Sequence, residues 1–180
     1  MAPALATRSK DSVIKQVFLE AVAIYKEHTV VSFEEALDDY SGTTVPIVIY
    51  GLNVGCSSSV GYSGSQGQNM KLQTGRCQSI SVIPHEIGHA LGRFHEHNRS
   101  DRDDYVTINE TNILYGFEHN FKKVDQPLLA PYDIQSIMHY HHSPCVLTTF
   151  GIGVSVVEFL TSIVHATACQ NLKALTANSS

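Results

Sequence analysis

The stretch His85-Glu86-Ile87-Gly88-His89-Ala90-Leu91-Gly92-Arg93-Phe94-His95-Glu96 constrains this chain more than any other. On a helix, residues four apart share one face, so His85 and His89 point the same way. Two imidazoles on one face can grip one metal ion. Glu86 lies one step round from His85, near the open side of such an ion. Gly92 follows three residues after His89, where a helix ends if the chain must turn sharply. His95 then comes close enough to fold back as a third ligand. Three neutral nitrogens leave a tetrahedral zinc with one free position, which is the layout of a catalytic site rather than a structural one. The plain alternative is three helix-surface histidines that hold nothing; the spacing and Gly92 argue against it.

The chain has 180 residues, enough for one domain with a real core. A formal charge of -5 offers no electrostatic case for nucleic acid. No run of Lys and Arg suggests an anionic membrane surface. Cys56, Cys77, Cys145 and Cys169 contain no Cys-x-x-Cys pair, so a zinc ribbon or thioredoxin-like motif is not expected. An even count fits disulfides in an oxidising compartment, with three pairings open. Asn98, Asn109 and Asn178 each begin an Asn-x-Ser/Thr acceptor, which adds a little to the case for export. The first residues hold no long apolar core and do not read as a signal peptide, so either the chain is a piece of an exported precursor, the favoured reading, or the export reading is wrong.

Ser12 to His28 reads as an amphipathic helix capped by Ser12. Its stripe is Val13, Val17, Ala21 and Ile24, with Ile14, Phe18, Val22 and Tyr25 beside it. Thr29 to Phe33 and Thr44 to Tyr50 are β-branched and aromatic and predict strands, with Asp38 to Thr43 as the turn between them. Gly51 to Gly67 is rich in Gly and Ser and reads as loop. Asn69 to Gln73 reads as a short strand at a sheet edge. Val106 to Asn109 reads as extended, Thr111 to Phe121 as a short helix and Pro127 to Asp133 as loop. From Cys145 the character changes. The run to His165 carries one charged side chain, Glu158, and predicts a buried helix from about Val154 to Leu175. Glu158 near its centre is costly in a bilayer, so a membrane span is not expected.

Four ordered stretches resemble the astacin family of zinc metallopeptidases, within the metzincin clan. They are the zinc motif with Gly92, His95 and then Glu96; Arg99-Ser100-Asp101-Arg102-Asp103-Asp104-Tyr105-Val106 after it; Tyr132-Asp133-Ile134-Gln135-Ser136-Ile137-Met138-His139-Tyr140, similar to the family's Met-turn; and Gly55-Cys56-Ser57-Ser58-Ser59-Val60-Gly61, similar to its glycine-rich cysteine loop. The resemblance covers roughly Ser12 to His142. It implies an α+β metzincin (zincin-like) fold: a twisted mixed sheet, two long helices, and a cleft above an irregular C-terminal part. It divides the chain into an unassigned segment 1–11, an incomplete catalytic domain 12–142 and a divergent segment 143–180.

The same resemblance implies one catalytic Zn2+ held by His85, His89 and His95, with Tyr140 as a further, displaceable ligand. Met138 would form an apolar floor beneath the metal. Cys56 would pair with Cys77. Asn69 to Gln73 would be the edge strand along which an extended peptide lies. Only Met1 to Asp11 stands where the family has an N-terminal strand. Val30 stands where it has a Cys, which leaves Cys145 and Cys169 unassigned. After His142 the resemblance stops.

The implied activity is peptide-bond hydrolysis by a secreted, extracellular endopeptidase acting on protein or peptide bound in extended form. A metal-activated water attacks, Glu86 is the general base, and Tyr140 donates a hydrogen bond to the tetrahedral oxyanion. His97, His119, His139, His141 and His142 read as polar or supporting groups rather than ligands, and Arg99, Asp101, Arg102 and Asp103 as loop-ordering ion pairs. The competing reading is a zinc-binding fragment or truncated isoform without turnover, motivated by the absent N-terminal strand and the foreign tail. A third is a peptidase tethered through Val146 to Val164.

Overall fold

In a computed structural model of the chain, the described residues are 4–7, 11–36, 47–50, 55–61, 68–113, 115–140 and 175–177. Helix α1 runs Ser12–His28, bounded as its apolar periodicity predicts. Its buried stripe is Ile14, Phe18 and Ala21, spaced four and three apart, whereas Val13 and Ile24 lie out in solvent. The cap is Asp11, not Ser12. Asp11 Oδ1 accepts from the amides of Val13 at 2.9 Å and Ile14 at 3.2 Å, so Ser12 becomes the first helical residue. Aspartate also places negative charge at the positive helix end, while Lys26 and His28 stand in the last turn.

Strands β1 (Ala4–Thr7), β2 (Glu34–Ala36), β3 (Ile47–Tyr50), β4 (Cys56–Ser58) and β5 (Gln68–Leu72) form one sheet in the order β2-β1-β3-β5-β4. The first four members of that order run parallel, and β4 is antiparallel to β5, with Cys56 opposite Leu72 and Ser58 opposite Met70. The α+β expectation with a mixed sheet holds.

Four details differ from the sequence reading. The segment before α1 contains a strand, β1, flanked on both sides by parallel partners. The expected strand at Thr29–Phe33 is not there: β2 begins at Glu34, and Val30 is fully exposed. Asn69 to Gln73 becomes β5, which is interior rather than an edge. The edge beside β5 is β4, drawn from a stretch expected to be loop; its three residues carry too little periodicity to be read as strand. The expected turn at 38–43 lies outside the described residues.

Met1–Arg93 and Phe94–Ser180 are two compact units. In the first, Ile14, Phe18 and Ala21 share the core with Ile47 and Ile49 of β3 and Met70 and Leu72 of β5. Val82, Ile83 and Ile87 add the face of helix α2 (Val82–Ala90). Tyr25 of α1 donates its hydroxyl to the Pro84 carbonyl at 2.9 Å, and burial pushes its pKa up to about 12. Cys56 and Cys77 form the disulfide that the family resemblance implies.

The second unit is mostly irregular. Strand β6 (Val106–Ile108) pairs antiparallel with β7 (Leu175–Ala177). The expected helix at Thr111–Phe121 is two separate 3-10 turns, Glu110–Asn112 and Glu118–Phe121, with Gly116 at φ +90° between them. That left-handed glycine breaks the helical run. Val106, Phe121 and Tyr140 form a small core. Arg99 ties the loops together: it bonds Asp101 through Nε at 2.9 Å and Nη2 at 2.8 Å, and Glu96 through Nη1 at 2.8 Å. Asp103 meets Lys123 at 2.6 Å and Arg102 at 3.1 Å. The four charged residues read as loop-ordering pairs do that. Cys145, Cys169, His141, His142, the apolar run Val146–Val164 and most of the helix expected at 154–175 lie outside the described residues. Among the described residues, no helix is long and apolar enough to cross a membrane.

Candidate functional site

All nine residues of α2 are buried. A helix buried on every side is normally apolar all round. Here it carries His85, Glu86 and His89, at 3%, 5% and 6% exposure. Such polar groups are tolerated inside a protein only when partnered or when they serve a ligand. Pro84 sits in the first turn, where its missing N–H costs nothing.

The helix ends as Gly92 predicts. The Arg93 amide reaches back to the Gly88 carbonyl at 2.9 Å and the Gly92 amide to the His89 carbonyl at 2.8 Å, with Gly92 at φ +94°. This double closure with a left-handed glycine turns the chain sharply. Over the short stretch from His85 to His95 it brings three ring nitrogens, one from each of His85, His89 and His95, within 4.8 Å of one another.

The donors suit a divalent cation of intermediate softness. The His85 and His89 rings lie 4.6 Å apart, edge to face. His89 Nδ1 lies 2.7 Å from the Arg93 carbonyl. A carbonyl only accepts, so Nδ1 carries the proton and Nε2 keeps its lone pair for a metal. Burial holds the His89 pKa below its usual value, which keeps the ring neutral. Three neutral imidazoles match a tetrahedral zinc with one position left open.

Glu86 stands beside this set. Its Oε2 is buried and makes no hydrogen bond among the described residues. Burial pushes its carboxyl pKa up to about 8, against the opposing pull of a backbone hydrogen bond from Ser58 of β4. A buried carboxyl with one unengaged oxygen is poised to exchange a proton.

Two positions escaped the sequence reading. Gln68 of β5 is buried, and its Nε2 donates to the Ser59 carbonyl at 2.9 Å and the Ala90 carbonyl at 3.3 Å. It joins β5 to the edge strand's end and to the end of α2. The signal was a glutamine in phase with Met70 and Leu72 on the inward side of a strand. Gly61 donates its amide to the His89 carbonyl at 2.9 Å, a contact that sequence spacing does not reveal.

In the second unit, the Tyr140 ring lies 4.6 Å from His95 and 4.1 Å from His97. His97 is fully buried, and its Nε2 bonds the Asn120 carbonyl at 3.1 Å, which fits the supporting role read from the sequence. Met138 is buried, and its carbonyl accepts from the Glu96 amide at 2.8 Å. Glu96 Oε1 takes the Asp133 amide at 3.0 Å, so the first residue after His95 ties the turn at 133–138 from both ends. His139 Nδ1 bonds the Tyr140 carbonyl, and Tyr132 donates its hydroxyl to His139 Nε2 at 2.6 Å.

Residues 5–150 match the model of the Astacin peptidase family. Zinc metalloproteinase nas-14 of Caenorhabditis elegans is 42% identical over 141 residues, covering 75% of this chain and 26% of its own length. The low choriolytic enzyme of Oryzias latipes is 53% identical over 87 residues, covering 48% of this chain and 32% of its own. The dorsal-ventral patterning protein tolloid of Drosophila melanogaster is 36% identical over 151 residues, 78% of this chain but 14% of tolloid. The chain therefore spans a third or less of these relatives. Among solved structures, high choriolytic enzyme 1, a hatching-enzyme zinc protease from Oryzias latipes, superposes with a TM-score of 0.69 at 32% identity. That match covers 78% of this chain and 68% of that one. The chain belongs to the astacin family of zinc metallopeptidases.

Proposed function

We propose that this chain is a zinc-dependent endopeptidase in which His85, His89 and His95 hold the ion and Glu86 is the general base. The observation that carries the reading is the convergence of three ring nitrogens beside a buried carboxyl group with one oxygen unengaged among the described residues. When bound there, zinc supplies Lewis acidity that polarises a scissile carbonyl and acidifies water.

The chain's own residues do the rest. Glu86, adjacent to His85 but not facing the same way, takes a proton from the attacking water and passes it to the leaving amine. Tyr140 would be a further residue able to hold the ion, and its hydroxyl would donate a hydrogen bond to the oxyanion. Met138, buried in the turn, would give the site an apolar floor. Substrate is protein or peptide in extended form. It adds to the sheet at β4, one of the two terminal strands among the described residues and the one whose Ser58 also touches Glu86. The Cys56–Cys77 disulfide supports an oxidising, extracellular setting.

Casein digestion with and without a chelator tests the activity. Zinc-loaded protein should cleave casein, chelator should stop it, and Glu86→Ala should retain zinc while losing cleavage. Unchanged turnover in Glu86→Ala refutes the base assignment. A zinc-loaded, folded wild type without turnover favours the zinc-binding fragment instead.

A further inference from the structure

We infer that Asn109 is an N-glycosylation site and that Asn98, which carries the same acceptor pattern, is not. The inference rests on the extracellular reading above.

Both residues begin an Asn-x-Ser/Thr triplet, Asn98-Arg99-Ser100 and Asn109-Glu110-Thr111. The fold treats them oppositely. Asn98 is buried, and its Nδ2 donates to two carbonyls, Asn120 and Lys122, both at 2.8 Å. Its backbone carbonyl also accepts from the Val124 amide at 2.7 Å. A sugar on that nitrogen would remove a donor from a satisfied buried pair and put a large polar group where there is no room. Chains modified at Asn98 could not close this region.

Asn109 is exposed, between β6 and the turn at Glu110–Asn112. Its Oδ1 accepts from the Thr111 amide at 3.2 Å and the Thr111 hydroxyl at 2.7 Å. Those bonds engage the oxygen alone. Among the described residues its Nδ2 makes no hydrogen bond, so a glycan there costs the fold no contact. The hydroxyl that defines the acceptor already sits against the acceptor amide.

The co-reactant is an oligosaccharide joined through pyrophosphate to a lipid carrier. A bond forms between Asn109 Nδ2 and the anomeric carbon, and the bond from that carbon to the pyrophosphate oxygen breaks. The lipid pyrophosphate leaves, and one Nδ2 proton passes to a base. Nothing is oxidised or reduced.

The test is secretion of the full chain from insect cells behind an added signal sequence, followed by peptide-N-glycosidase treatment and peptide mapping. The Asn109 peptide should carry a glycan that the enzyme removes, leaving aspartate. Asn109→Gln and Thr111→Ala should abolish that glycan. Thr111→Ser should keep it, and Ser100→Ala should change nothing. Secreted protein with the Cys56–Cys77 bond intact but Asn109 bare overturns the assignment and leaves the peptidase reading standing. A glycan lost in Ser100→Ala also overturns it. Protein from its native source with Cys56 and Cys77 reduced overturns instead the extracellular reading beneath it.

Discussion

The amide of Gly61 donates to the carbonyl of His89 at 2.9 Å, and the same carbonyl accepts from Gly92 at 2.8 Å. Two left-handed glycines, at φ +69° and +94°, thus clasp the backbone of a proposed zinc ligand. A Cβ on either would meet the other's Cα at ordinary contact distance, so backbone strain, not crowding, sets the cost of replacing them. Gly92→Ala should lose about 1–2 kcal/mol of stability. It should also weaken zinc binding, because the turn presents the Arg93 carbonyl that holds His89 Nδ1. Urea unfolding and a zinc titration check this; an unchanged midpoint would show that the turn is not strained for alanine.

Gln68 anchors the end of α2 to the sheet. Gln68→Leu fills similar volume but takes the side-chain donor away from the Ser59 and Ala90 carbonyls. It should destabilise by about 1–3 kcal/mol with an unchanged denaturant slope. A variant as stable as wild type would mean that water replaces both bonds.

Asp101 gives a pH signature. The Arg99 side chain bonded to it, itself buried, holds its carboxyl below the ordinary value of 3.8. The unfolded state therefore binds the proton more readily, and the contribution is full above the ordinary value and fades as pH falls through the depressed one. Asp101→Asn should cost about 1–2 kcal/mol at pH 7. The gap from wild type should close as the solution is acidified below pH about 4. A gap independent of pH would assign the loss to packing. Measuring the difference cancels histidine protonation, which both proteins share.

The Cys56–Cys77 bond closes a loop with a sequence separation of 21 and ties edge strand β4 to the turn after β5. Replacing both cysteines with alanine should cost about 2–4 kcal/mol. Deuterium exchange should speed up at Cys56–Ser58. Equal protection in the double variant would show that β4 is held by its ladder with β5 alone.

Much of this site is legible in the sequence. The spacing of His85, His89, Gly92 and His95 is local, and local geometry follows from helix period and glycine conformation. Helix α1 was legible for the same reason. Where two neighbours can fill one role, the sequence does not choose between them: Asp11 caps although Ser12 also can. Where an element is three residues long, as in β2 and β4, no period accumulates. The interior place of β5 and the edge place of β4 depend on pairing between distant strands, which alternation within one strand does not encode. Thr111–Phe121 does not form the expected single helix because Gly116, at φ +90°, separates its two turns.

The zinc content of the purified, folded protein is the most direct measurement of all. The account predicts one zinc per chain, retained in Glu86→Ala and lost when His89 is replaced by alanine. Folded protein without metal, or metal that survives the loss of His89 undiminished, would contradict it.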